Sequence, residues 1–329
     1  MKRSLWIATC FAMAAVAQTP NMPAPAAPAQ HGSNETDKVD IDRFLGYPDN
    51  RTVHLSHGTL LTHSILRAGN PYEPGPQGAV LEYRKDLSTA TLMPNSRTPL
   101  STLPDEYFFY IKSGQGRIDD GKQYWDLRAD TAILAPPSVP HRFTNTSDKP
   151  LQMIMLTWPG GPDAHKELIV RNIALLPWCE ENAHWNNTSR CVFSAADGLI
   201  QGERIYLVML QPWATSQPHS HGHGTEEIWT KVSPGTTIAL LGSEMREMPE
   251  DSAYLVPPTG ITDHSNINTS KDHVEWWIYV ARGPSPPPGA TSTAGRGGRG
   301  AGGGGGRGPA NPNLSRDVTE ATIAGKPLQ

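Results

Sequence analysis

Short apolar runs alternate with clusters of Gly, Pro, Asn and Asp along most of this chain. Leu60–Leu66, Gly78–Tyr83, Tyr107–Ile111 and Thr131–Leu134 are such runs. Their length and their turn-forming borders predict strands rather than helices. No segment sustains a helical period, and the best helical candidate, around Asp163 to Leu176, is short. This rhythm predicts an all-β sandwich or barrel.

The pattern then repeats. Glu106 and Glu227 each lead into an apolar strand and a turn glycine, Gly114 or Gly235, at a common offset of 121. Pro136-Pro137 and Pro257-Pro258 keep that offset, and His141 to Asn145 matches His264 to Asn268 at an offset of 123. A preserved offset over a long stretch points to two copies of one β unit. We expect domains at residues 42–165 and 166–282.

The flanks differ in composition. Lys2 and Arg3, the apolar stretch Leu5–Val16 and the small-x-small Ala15-Val16-Ala17 read as a signal peptide over residues 1–17. Its apolar run is short for a bilayer span, and a lipoprotein reading through Cys10 fits less well after Thr9. Residues 18–41 read as a disordered lead-in. Residues 283–329 read as a flexible Gly/Pro-rich tail, within which Asp317–Ala324 alternates like a strand. The expected location is periplasmic or secreted. A net charge of -4 over 329 residues gives no reason to expect a nucleic-acid partner, and no later segment reads as a membrane span. Removing the leader reduces three cysteines to two, Cys179 and Cys191. Export favours a disulfide between them, worth about 3 kcal/mol in the chain-entropy account.

The candidate chemistry lies in the second copy, in His219-Ser220-His221-Gly222-His223-Gly224-Thr225-Glu226-Glu227. On a strand, residues two apart point the same way, so alternate histidines can aim imidazoles at one point. His221 with His223 is one pair and His219 with His221 another, since all three share one parity. Glu227 opens the apolar run Ile228–Val232, while Glu226 should face the opposite side. A distant partner comes from Pro257–His264. Three imidazoles and one carboxylate suit Fe, Mn, Cu, Ni or Zn. Trp229 shares the parity of Glu227 and should face the interior, as should one of Trp276 and Trp277.

These two motifs resemble those of the cupin superfamily, in its tandem bicupin form. The spacing His221-x-His223-x-x-x-Glu227 matches the family's first motif, and Pro257 to His264 to Asn268 its second. The resemblance implies two jelly-roll barrels, with His221, His223, Glu227 and His264 holding one divalent transition metal, Mn or Fe foremost. It implies a metal-dependent oxidoreductase, dioxygenase-like, acting on a small aromatic or oxygen-rich molecule beside Trp229. A non-catalytic metal- or sugar-binding cupin, or a sugar isomerase or epimerase, is the alternative. Oligomeric state is left open. The first copy has no histidine ahead of Glu106, so no metal is expected there. Its expected inner face is Glu106, Phe108, Tyr110, His141 and Phe143, with His54, His57 and His63 able to reach it from outside.

Overall fold

A computed structural model describes residues 40–48, 52–161, 164–179, 187–199 and 203–283. The expected leader, nearly all of the lead-in and the tail after Gly283 lie outside these residues. The described chain is β throughout apart from three 3-10 turns. Around the best helical candidate it forms the strand Ile169–Asn172 and the turn Ile173–Leu175. Among the described residues no helix is long and apolar enough to cross a membrane.

Four sheets form two pairs. The first half has an eight-stranded sheet, with Asp105–Ser113 and Leu151–Pro159 at its centre, and a four-stranded sheet containing Gly116–Asp119 and Arg142–Asn145. The second half has a seven-stranded sheet, with Glu226–Lys231, Glu275–Arg282 and Arg204–Leu210 side by side, and a three-stranded sheet containing His264–Ile267.

Alternation along the central strands builds three cores. Tyr107, Phe109 and Ile111 face the interior of the first half with Phe143 and Met155. Trp229, Tyr254, Trp277 and Tyr279 line that of the second. The intervening residues, Phe108, Tyr110, Leu156 and Trp158 from one large sheet and Ile228, Leu255, Trp276 and Ile278 from the other, form a third core. Sandwiching the large sheets face to face buries both faces of each central strand. These strands are therefore nearly continuous in apolar residues, and parity alone decides which core a side chain enters.

The repeat is visible in individual hydrogen bonds. Asn145 Nδ2 donates to the carbonyls of Leu92 (3.0 Å) and Lys149 (2.8 Å), and its Oδ1 accepts from Ser147 N. Asn268 does the same with Leu210 (3.1 Å), His273 (2.8 Å) and Ser270 N. Gly114 and Gly235 both take positive φ, 88° and 83°, the left-handed turn conformation that glycine adopts without a Cβ penalty.

Two strands cross the expected boundaries. Ile169–Asn172 edges the first large sheet beside Thr131–Ala135, beyond the expected break at residue 165. Leu45–Gly46 edges the second large sheet beside Ala253–Val256. Edge hydrogen bonding, rather than order along the chain, decides sheet membership. Cys179 and Cys191 are joined as a disulfide with their Cα atoms 5.7 Å apart.

Candidate metal centre

The site is assembled by a two-residue antiparallel bridge. His219 N donates to His264 O (3.3 Å), and His264 N donates back to His219 O (3.0 Å). This fixes the loop before Glu226–Lys231 against the strand His264–Ile267. His221 follows two residues later and remains on the same side. The chain then turns: Thr225 N donates to Gly222 O (3.2 Å), and Gly224 N donates to Pro258 O (2.9 Å).

That turn ends the strand-like parity, and His223 leaves the site. It is exposed, stacked on Tyr72 with ring centroids 5.3 Å apart and planes 13° apart. The expected pair His221/His223 is therefore replaced by His219/His221. Ligand nitrogens of His219, His221 and His264 lie within 4.8 Å of one another. Glu227 joins them, with Oε2 2.7 Å from His221 Nε2 and Oε1 2.8 Å from His264 Nε2.

The arrangement fits a metal ion. Trans ligands on a divalent ion with bonds of ~2.1 Å are ~4.2 Å apart, so small side-chain rotations would bring the set to bonding distance. The Nε2 atoms of His221 and His264 are buried and make no hydrogen bond, despite their short approaches to the Glu227 oxygens. Their approach suits atoms that converge on a common centre. A buried acceptor left without a partner is otherwise costly.

Surrounding groups orient the ligands. His219 Nδ1 donates to Gln217 O (2.8 Å), which leaves its Nε2 lone pair toward the cluster. Trp229 Nε1 donates to Glu227 Oε1 (2.7 Å), and Tyr279 Oη donates to Glu227 Oε2 (3.3 Å). Tyr279 Oη in turn accepts from Arg204 Nη2 (2.8 Å). Burial acts to raise the Glu227 pKa, but His264 and His221 outweigh it and hold the carboxyl well below its usual range. Burial, then proximity to His264, lowers that of His219. The cluster therefore presents a carboxylate beside an imidazole, His219, whose neutral form burial favours, the protonation states metal binding requires.

A family profile described as the cupin domain matches residues 88–157, within the first repeat. No curated protein sequence matches the chain. Among solved structures, AerE from Microcystis aeruginosa aligns at 14% identity over 73% of this chain and 99% of its own, with a TM-score of 0.54. An oxalate decarboxylase from Bacillus subtilis aligns at 11% identity over 76% and 79%, TM-score 0.55. The pirin YhhW from Escherichia coli, solved in complex with nickel(II), aligns at 13% identity over 73% and 99%, TM-score 0.53. The chain thus carries a cupin-domain match within its first repeat, and its described fold is similar to that of these structures.

The two repeats differ where the metal centre would form. Ser101 bridges His141 as His219 bridges His264, so a serine stands where the second repeat has its first histidine. Tyr107 pairs with Ala135 as Glu227 pairs with Val256, so Tyr107, not Glu106, occupies the position of Glu227. The sequence offset of 121 misses this by one residue, and one residue changes the face. Glu106, Phe108 and Tyr110 consequently leave the expected inner face; Phe108 and Tyr110 enter the core between the large sheets. His141 and Phe143 remain buried in the first half, and Tyr107 and Phe109 join them.

Glu226 points away from the metal centre and is engaged elsewhere. It is paired with the Arg84 guanidinium and accepts from Glu82 N (2.6 Å) and Tyr83 N (2.9 Å). Trp229 faces the interior as its parity requires, and its polar edge holds the carboxylate. Tyr279 and Arg204 escaped the sequence reading. Strand alternation places Tyr279 on the Trp277 face, but only the fold shows Glu227 across from it.

Proposed function

We propose that this cupin is a metal-dependent oxidoreductase, dioxygenase-like, that acts on a small aromatic or oxygen-rich molecule at the second repeat. The observation that carries this reading is the convergence of His219, His221, His264 and Glu227. A divalent transition metal bound by that set would supply Lewis-acid or redox activation, with Mn or Fe foremost and Cu, Ni or Zn also compatible with the donors. The nickel(II) complex of the structurally similar pirin supports a metal on this fold.

The chain's own groups favour chemistry at the metal over proton abstraction. An isomerase or epimerase needs a general base within reach of the substrate carbon. Glu226 is consumed by Arg84 and two backbone amides, and Asp263 is exposed. The Tyr279 hydroxyl is held between Arg204 and Glu227. Trp229 and Tyr279 fix the carboxylate and pack beside it, leaving His221, only partly buried, on the more open side of the cluster.

The basic-then-apolar leader and the Cys179–Cys191 disulfide support export to an oxidising compartment. Oxygen uptake by the full chain, loaded with Fe(II) or Mn(II) and offered catechols and flavonols, tests the catalytic reading. Turnover lost in His264→Ala is the expected result. Stable metal binding without turnover across the panel favours the non-catalytic binding role, and failure to bind metal sinks both.

A further inference from the structure

A second pair of buried histidines lies in the first repeat, away from the centre described above. His57 sits in the exposed turn between strands His54–Ser56 and Leu60–Ala68, yet its side chain is buried, with the residue only 6% exposed. It projects beside His141, which is 1% exposed, and their Nε2 atoms are 3.0 Å apart. Tyr107, Phe109 and Phe143 surround the pair edge-on.

Each outer nitrogen has a fixed partner. His57 Nδ1 lies 2.7 Å from Ser56 Oγ, and His141 Nδ1 donates to Val139 O (3.0 Å). The carbonyl fixes the His141 tautomer and leaves its Nε2 as a lone pair. Without a metal, His57 Nε2–H donates to that lone pair and the Ser56 hydroxyl donates to His57 Nδ1. If Ser56 Oγ instead accepts from His57 Nδ1–H, both Nε2 lone pairs face the same space. One hydroxyl rotation and one tautomer change separate the two states.

We propose that His57 and His141 form a second transition-metal site, suited to Cu(II) or a similarly imidazole-seeking divalent ion, on the first repeat. Two nitrogens 3.0 Å apart on bonds of ~2.0–2.1 Å subtend roughly 95° at the ion, close to the cis angle of square-planar and octahedral coordination. Burial, and in the case of His57 also the neighbouring His141, depresses the basicity of both rings, that of His57 to about 3. Protons therefore do not compete for the lone pairs at neutral pH. His57 holds a positive φ of 49°, a conformation uncommon outside glycine and one that histidine visits more readily than most residues. The turn delivers a ligand from outside the central strands, where the strand itself has none.

The test uses the full chain, stripped with chelator and titrated with Cu(II) in a competing glycine buffer that suppresses binding to exposed histidines. Replacing His219, His221 and His264 together by Ala removes all three imidazoles of the second-repeat centre and isolates the proposed site. That protein is expected to retain about one tightly bound Cu(II), with an electron paramagnetic resonance signal split by two nitrogens. Adding His57→Asn, a residue that tolerates the turn's positive φ, should weaken this copper at least tenfold. His141→Gln in the same background should do the same, with the thermal transition monitored to show that each variant is folded. No tight copper in that folded background protein, or copper that survives either added change, overturns the proposal. Because the readout never involves turnover or the second-repeat centre, it stands or falls independently of the proposed oxidoreductase activity.

Discussion

Trp229 Nε1 donates a 2.7 Å hydrogen bond to the Glu227 oxygen that also lies 2.8 Å from His264 Nε2. The tryptophan sits two residues along the same strand, so the carboxylate is oriented from within its own strand and does not depend on a mobile loop. Outer-shell donors of this kind fix ligand geometry, and losing one typically costs 10–100-fold in metal affinity or activity. Trp229→Phe keeps most of the ring and removes the N–H. We expect metal affinity to fall by about that factor, measured by chelator competition, with little change in the thermal transition.

His219 and His223 each lie two residues from His221 in the same motif but have opposite fates. His219→Ala should sharply reduce the metal bound at the second repeat, because it removes one of the converging imidazoles. His223→Ala should leave the stoichiometry unchanged, since His223 stacks on Tyr72 outside the cluster. Elemental analysis of the two variants beside the parent checks this. The reverse ranking would restore the His221/His223 pairing.

Arg84 is 2% exposed and bridges Glu203 (2.6 Å) and Glu226. It ties residues of the first half to the second across the buried seam. Removing one partner of a buried ion pair leaves charge without compensation and costs about 3–5 kcal/mol. We therefore expect Arg84→Ala to lower unfolding free energy by that order, read from denaturant titration. Replacing Arg84, Glu203 and Glu226 together by apolar residues should be far less harmful.

Glu106 faces the same seam, and burial, reinforced by Glu203, raises its pKa to about 7. A carboxyl whose folded pKa is raised binds its proton more tightly in the native state. Its contribution to stability is fully present below about pH 4.5, the unfolded value, and is lost as pH rises through about 7. Glu106→Gln should abolish that fall, stabilising the protein at pH 8 by roughly 2–3 kcal/mol and leaving it little changed at pH 4. Parallel unfolding curves for the two proteins at all pH values would remove the assignment.

Strand alternation and the repeat were legible in the chain itself, because side chains on a pleated strand change face every residue and turns need residues that tolerate them. The turn glycines, the paired asparagines, the inward Trp229 and one inward tryptophan of the pair Trp276 and Trp277 follow from those local rules, while the fold decided that the second is Trp277. Glu227 over Glu226 was legible as well, since only one of two neighbours can share the face of Trp229.

The choice of His219 over His223 was not legible. Parity treats the two alike, and only the turn closed by Thr225 on Gly222, with Gly224 bound to Pro258, shows where strand geometry ends. The same limit misplaced Glu106: a one-residue difference in the spacing of the repeats moves every side chain to the other face. The chain thus determined its strands, its duplication and the donor types available to a metal. Tertiary structure decided which donors meet, because long-range bridges such as His219–His264, and the approach of His57 to His141, depend on registers between distant segments that no local pattern encodes.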